Sequence, residues 1–156
     1  MSDLVDPAKR NQMMSGVRVA GTQPELVVRR FLHHQEFRYR LNVANLPGRP
    51  DLVLPKHRAA IFVNGCFWHA HAGCHLFRLS KSRRAFWQQK LMSNRARDTR
   101  NCSELSEQGW RVATVWECAT RSNQPNLGAL VDWLVSDHHV LDLGDQFTPT
   151  GKGPLA

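Results

Sequence analysis

The chain lacks any apolar run approaching the roughly 18 residues that cross a bilayer, which sets membrane transporters and channels aside. Its opening residues, Met1-Ser2-Asp3-Leu4-Val5-Asp6, have neither the cationic nor the apolar region of a secretory signal, so a cytoplasmic protein is expected. Cysteine is scarce, four in 156 residues. A disulfide-built scaffold would need more, and in a reducing compartment these four read as thiols or metal ligands. Acidic residues are outnumbered, 13 against 21 Lys and Arg, for a formal net charge of +8. That imbalance points to a polyanion, nucleic acid first, over the plainer reading of a basic solvated surface. Internal repeats and low-complexity linkers are missing too, and this length suits one domain with its own core.

What is present is concentrated between Asn64 and His75, where two cysteines, three histidines and two adjacent aromatics share twelve residues. Thiolate and imidazole are the ligands zinc takes in closed tetrahedral sites. Cys66, His71 and Cys74 are spaced so that one loop can wrap one ion, and Cys118 is the nearest supply for a fourth ligand. The bland alternative makes the cysteines small core residues and the histidines surface ones. Phe67 and Trp68 would sit between ligands on a stiffened surface loop, as an exposed wedge, with His69 and His75 left over.

Taken in order, Asp6-Pro7 opens a short basic helix, an N-terminal arm over residues 1–20. Thr22-Gln23-Pro24-Glu25 is a capping box for a second helix with Val27, Val28, Phe31 and Leu32 on one face. Glu25 thus has a structural explanation as well as a functional one. Residues 37–43 alternate as a half-buried strand, and Asp51–Pro55 and Ala59–Val63 form two more. If these two pair antiparallel, Asp51 and Asn64 lie side by side. From Ser82 the spacing predicts a long helix with Trp87, Leu91, Asn94, Asp98, Cys102 and Leu105 on one face. Cys102 is then a core residue, while Asn94 and Asp98 are polar positions on that inward face, either half-exposed or pointing at something charged. Eight basic residues and one acidic between Arg78 and Arg100 give the helix an anion-binding outer side. A buried strand follows Gly109, then a helix over Leu127–Val135. The whole is expected to be an α/β domain over residues 21–136, its mixed β-sheet flanked by helices, with a frayed tail over 137–156.

Pro50-Asp51 at the head of a strand is a skeleton many nucleases use for magnesium, which a carboxylate and another oxygen hold while it bridges a phosphate oxygen. The acidic residue and lysine usual on the next strand are replaced here by Ile61, Phe62, Val63 and Asn64. His69 is the candidate to activate water, since imidazole titrates near neutrality.

Leu46-Pro-Gly-Arg-Pro-Asp51, Gly65-Cys-Phe-Trp-His-Ala-His71, Phe86-Trp87 and Gly109-Trp-Arg-Val with Val-Trp-Glu-Cys118 resemble the very short patch repair endonucleases, up to Cys118 and excluding the tail. The resemblance implies a restriction-endonuclease-like core with a structural zinc on Cys66, His71, Cys74 and Cys118. It implies Mg²⁺ held by Asp51 and the Val63 carbonyl, a catalytic His69, and Glu25 in support. Asn94 and Asp98 would orient metal-bound waters. Intercalating aromatics fall on Phe67, Trp68 and Trp87. Family members commonly have Thr-His where this chain has Val63-Asn64, and Asn64 cannot replace histidine in acid–base terms. The implied activity is nicking of one strand beside a thymine–guanine mismatch left by deamination of 5-methylcytosine. The implied setting is a bacterial monomer on the nucleoid, linked functionally to a cytosine-5 DNA methyltransferase and mismatch-repair proteins. Two rivals stand beside it. A non-catalytic zinc-stabilised mismatch-binding module would leave Asp51 and His69 without a task. A deaminase-like zinc enzyme on His69, His71 and His75 would need a Pro-Cys-x-x-Cys motif, which is missing.

Overall fold

The structure, a computed structural model, describes residues 22–72, 74, 76–77, 79, 81–121 and 127–144. The expected N-terminal arm, the surplus His75 and residues 145–156 lie outside that range.

Thr22 caps helix α1, Gln23–His34, its hydroxyl accepting the Glu25 N–H at 3.3 Å with Pro24 in the first turn. Val28 and Leu32 are fully buried on its apolar face, with Val27 and Phe31 packed beside them. Strand β1, Arg40–Leu41, is much shorter than the predicted 37–43. Its partner β2, Leu52–Leu54, offers only three residues, and Glu36 and Asn42 turn the chain at positive φ on either side. Phe37 and Tyr39 still pack against the core, so the alternation in the sequence was about burial and not about pairing.

Between β1 and β2 the turn residues bring Gly48 against the long helix described below. It has φ +77°, and a Cβ there would lie 2.9 Å from the Asn101 side chain, so glycine is required on both counts. A 3-10 turn, Pro55–His57, reverses the chain into β3, Ala59–Asn64, antiparallel to β2 as expected.

Helix α2, Arg84–Glu107, begins two residues after the anticipated cap Ser82, behind a left-handed Arg83. Leu91 and Leu105 are buried, and Trp87, Asn94, Asp98 and Cys102 are half-buried on the same side, as their spacing predicts. Strand β4, Arg111–Trp116, then lies parallel to β3. Short helices α3, Glu117–Thr120, and α4, Gly128–Leu134, follow.

The expected tail needs correction. Val140–Leu143 form strand β5, parallel to β4, so the sheet continues past residue 136 in the order β1-β2-β3-β4-β5. Four residues carrying an aspartate, with Val140 71% exposed, give little strand signal alone. The free edge of β4 supplies the hydrogen bonds that make them a strand. Arg111 fixes the approach: its guanidinium donates to the carbonyls of His57, Trp133, Leu134, Ser136 and His138 and lies over the Trp133 ring. A cation at the end of α4 satisfies carbonyls the helix cannot.

One face of the sheet is closed by α1 and α4 over Leu52, Leu54, Ile61, Ala113 and Val115. The other carries α2 over Ala60 and Val112, with Cys102 packed alongside as a core residue. The domain is therefore the expected mixed α/β sheet flanked by helices. No helix among the described residues is long and apolar enough to cross a membrane.

Candidate active site and metal centre

The antiparallel pairing of β2 and β3 places Asp51, just before β2, beside the end of β3. The Val63 N–H donates to Asp51 Oδ2 at 2.7 Å. Burial pushes the Asp51 carboxyl up to about 6; the Val63 hydrogen bond opposes this, the charge of Glu25 adds to it, and His69 opposes it. Glu25 is only 1% exposed, and Arg29 Nη1 lies 3.8 Å from its Oε2. The Glu25 N–H is capped by Thr22, and its carboxylate lies within electrostatic reach of Asp51.

Residues after β3 reach across to α2 twice. His69 Nδ1 lies 2.6 Å from Asp98 Oδ2, and Asn94 Nδ2 donates to the Trp68 carbonyl at 2.9 Å. Arg97 in turn donates to Asn94 Oδ1 at 3.2 Å. The inward polar positions on α2 thus hold the loop in place. A carboxylate at Nδ1 selects the tautomer with the proton there, which leaves Nε2 as the basic nitrogen. His69, Asn64, Asp98 and Arg95 line a cleft of about 910 Å³ that runs between α2 and the outer strands as far as Val140. Asn64 itself is 9% exposed, on the α2 side of the sheet with Ala60 and Phe62.

The sulfur and nitrogen atoms of Cys66, His71, Cys74 and Cys118 all lie within 4.8 Å of one another, the three cysteines buried. His71 Nδ1 is 3.4 Å from Cys66 Sγ and 3.6 Å from Cys118 Sγ. Backbone N–H groups of Cys118 and Leu76 donate to the sulfurs of Cys66 and Cys74, at 3.3 and 3.4 Å. The Cys118 contact and burial push the Cys66 thiol up, and burial pushes up that of Cys74. Three thiols crowded out of water with N–H donors aimed at sulfur suit thiolates around a cation, and a thiophilic tetrahedral ion such as zinc matches the set. The bland reading of small core cysteines does not account for the imidazole among them.

Phe67, Trp68 and Trp87 make one ring cluster, with centroids 5.2–6.0 Å apart. Sequence reasoning did not place Phe77 and Phe86 in it, yet Phe77 lies 6.2 Å from Phe67 and Phe86 lies 5.3 Å from Trp87. Phe86 is 45% exposed, with the Arg83 guanidinium over its ring. Its adjacency to Trp87 near the start of a basic helix was the available signal. Also missed was Glu117, whose Oε1 accepts the Cys66 N–H at 3.2 Å while Arg121 holds Oε2 at 3.1 Å. Trp116 and Gly144 beside His71, and Asp142 beside Trp116, were missed as well, and only the sheet register reveals them.

A sequence profile of the family described as DNA mismatch endonuclease Vsr matches residues 2–75. The chain is 46% identical over 130 residues to the type II nicking enzyme V.XorIIP of Xanthomonas oryzae pv. oryzae, covering 83% of this chain and 92% of that one. It is 42% identical over 124 residues to the DNA mismatch endonuclease Vsr of Escherichia coli, covering 80% and 79%. It is 39% identical over 122 residues to the type II nicking enzyme V.NmeAIP of Neisseria meningitidis, covering 78% and 86%.

Proposed function

The chain belongs to the DNA mismatch endonuclease Vsr family and is a strand-nicking DNA endonuclease; from that premise we propose that it nicks beside thymine–guanine mismatches, with Mg²⁺ as catalytic and zinc as structural ion. The observation that carries the catalytic assignment is the convergence of Asp51, Glu25, His69 and Asp98 at one end of the sheet.

Asp98 holds Nδ1 of His69, a residue that lines the cleft, so on this reading Nε2 of His69 accepts the proton of the attacking water and Asp98 steadies the imidazolium that results. Asp51, its Oδ2 oriented by the Val63 N–H, and the Val63 carbonyl would hold the cation, with Glu25 as a neighbouring negative charge. The residues fit that task, because a buried carboxylate with a second carboxylate in reach is stabilised in its charged form by a divalent ion. When bound, Mg²⁺ supplies Lewis-acid stabilisation of charge on the scissile phosphate. Asn64 supplies no proton. Asn94 orients the loop through the Trp68 carbonyl, which differs from the water-orienting role the resemblance implied.

Cys66, His71, Cys74 and Cys118 would hold zinc and so brace the loop that carries both His69 and the aromatic cluster. Phe67, Trp68 and Trp87 enter the base stack at the mispair, where opening a step is easiest. Exposed Arg84, Arg95, Arg97 and Arg100 on α2 supply phosphate contacts that carry no sequence information. A monomer acting in the cytoplasm on mismatches left when cytosines modified by a cytosine-5 methyltransferase deaminate completes the reading.

A nicking assay on duplexes with and without a central thymine–guanine pair, with and without Mg²⁺, tests it. Cleavage of one strand beside the mismatch, dependent on Mg²⁺ and lost in Asp51→Asn, is expected. Binding without cleavage would favour the non-catalytic module.

A further inference from the structure

We infer that β5 positions the histidine of the metal cluster, with Gly144 and Asp142 as its positioning residues. This rests on reading Cys66, His71, Cys74 and Cys118 as metal ligands. A ligating imidazole must present one nitrogen at a fixed angle, and partners outside the ligand set fix that angle.

Two neighbours bound the ring here, and one of them is itself held from β5. The His71 ring stacks on the Trp116 indole, centroids 4.0 Å apart and planes 4° from parallel. Trp116, the last residue of β4, is itself oriented by Nε1 donating to Asp142 Oδ1 on β5 at 2.8 Å. Gly144, just past β5, closes on the Cε1–Nε2 edge of the ring, beside the Cys118 sulfur. A Cβ there would lie 2.9 Å from His71 Cε1, 3.2 Å from Nε2 and 3.6 Å from Cys118 Sγ.

Gly144 has no left-handed φ, unlike Gly48 and Gly109, so its requirement is for space against His71 and not for an unusual backbone. The β4–β5 register, with Val115 opposite Leu143, sets Trp116 and Gly144 at neighbouring positions one residue further on. The imidazole is therefore bounded by an indole on its face and a glycine at its edge, and Nδ1 is left aimed at Cys66 and Cys118. Asp142 is exposed, so the main core does not need it; its task is the orientation of Trp116.

The test uses the full chain loaded with zinc. Release to a chelator is timed, and the cobalt(II)-substituted protein is scanned for ligand-field bands, which report coordination geometry directly. Gly144→Ala and Asp142→Ala should release zinc roughly 10–100-fold faster than wild type and shift the cobalt bands. Asp142→Asn, which keeps an acceptor oxygen for the indole N–H, should recover most of the retention. Val140→Thr on the same strand should match wild type. Should Gly144→Ala fail to fold by circular dichroism, the exposed Asp142 pair carries the test. Wild-type release rates and bands in both Asp142→Ala and Gly144→Ala would overturn the positioning role. A wild-type chain that takes up no zinc would instead overturn the ligand reading beneath it.

Discussion

His69 and His71 stand two residues apart on one loop and face opposite kinds of chemistry. His71 lies flat on Trp116 with its Nδ1 among three thiols. His69 is about 30% exposed and hydrogen-bonded to a carboxylate on α2. Ala70 between them is buried with φ +53°, a left-handed residue that turns the loop between the two histidines. The partner elements differ: an indole and thiols surround His71, while a carboxylate on α2 holds His69, and on the proposed reading the first is a ligand and the second a base.

Removing a thiol from the His71 side should have the largest effect. Cys118→Ser should lose zinc and fold poorly, since structural zinc contributes about 10 kcal/mol or more, while Cys102→Ser in the second core should keep the metal. Metal analysis and thermal melts read both, and zinc retained by the Cys118 variant would break the comparison on that side.

Next in size is the loss of the base. His69→Ala should lower nicking by roughly 10²–10⁴-fold while zinc content stays at wild type and mismatch affinity stays within about tenfold. Loss of zinc in this variant would mean the two histidines have exchanged roles.

A smaller effect follows from the Asp51 carboxyl, which titrates at 3.8 when unperturbed and at about 6 in the fold. Between those values the native state binds more protons than the unfolded state, so stability falls as pH rises, by about 3 kcal/mol once above pH 6. Asp51→Asn, zinc-loaded and magnesium-free, should therefore melt above wild type at pH 7, and the difference should vanish near pH 4. Equal melting of the two proteins at both pH values would remove the carboxylate's strain from the account.

The finest distinction is between the loop as brace and as wedge. Trp68→Ala should weaken binding to mismatched duplex by ~1–3 kcal/mol and leave matched duplex nearly unchanged, with zinc intact. Competition binding at fixed salt measures it, and an equal loss on both duplexes would show that the ring merely packs.

The sequence on its own determined much of this protein. Ligand residues in a short window, a capped helix before paired strands, and a long helix with a basic outer side were local patterns, each set by chain periodicity or ligand preference. They placed Asp51 beside the end of β3, brought Cys118 to the loop and put Cys102 in the core. Other features belonged to the tertiary structure. Asp98 becomes the partner of His69 because α2 crosses the loop at that turn, and spacing along a helix names a face without naming what meets it. Residues 140–143 become a strand, and Gly144 a neighbour of His71, because β4 has an open edge and Arg111 steers the chain onto it. Backbone hydrogen bonding to a distant strand leaves almost no mark on four residues of sequence, so pairing at an edge is decided only when the sheet exists.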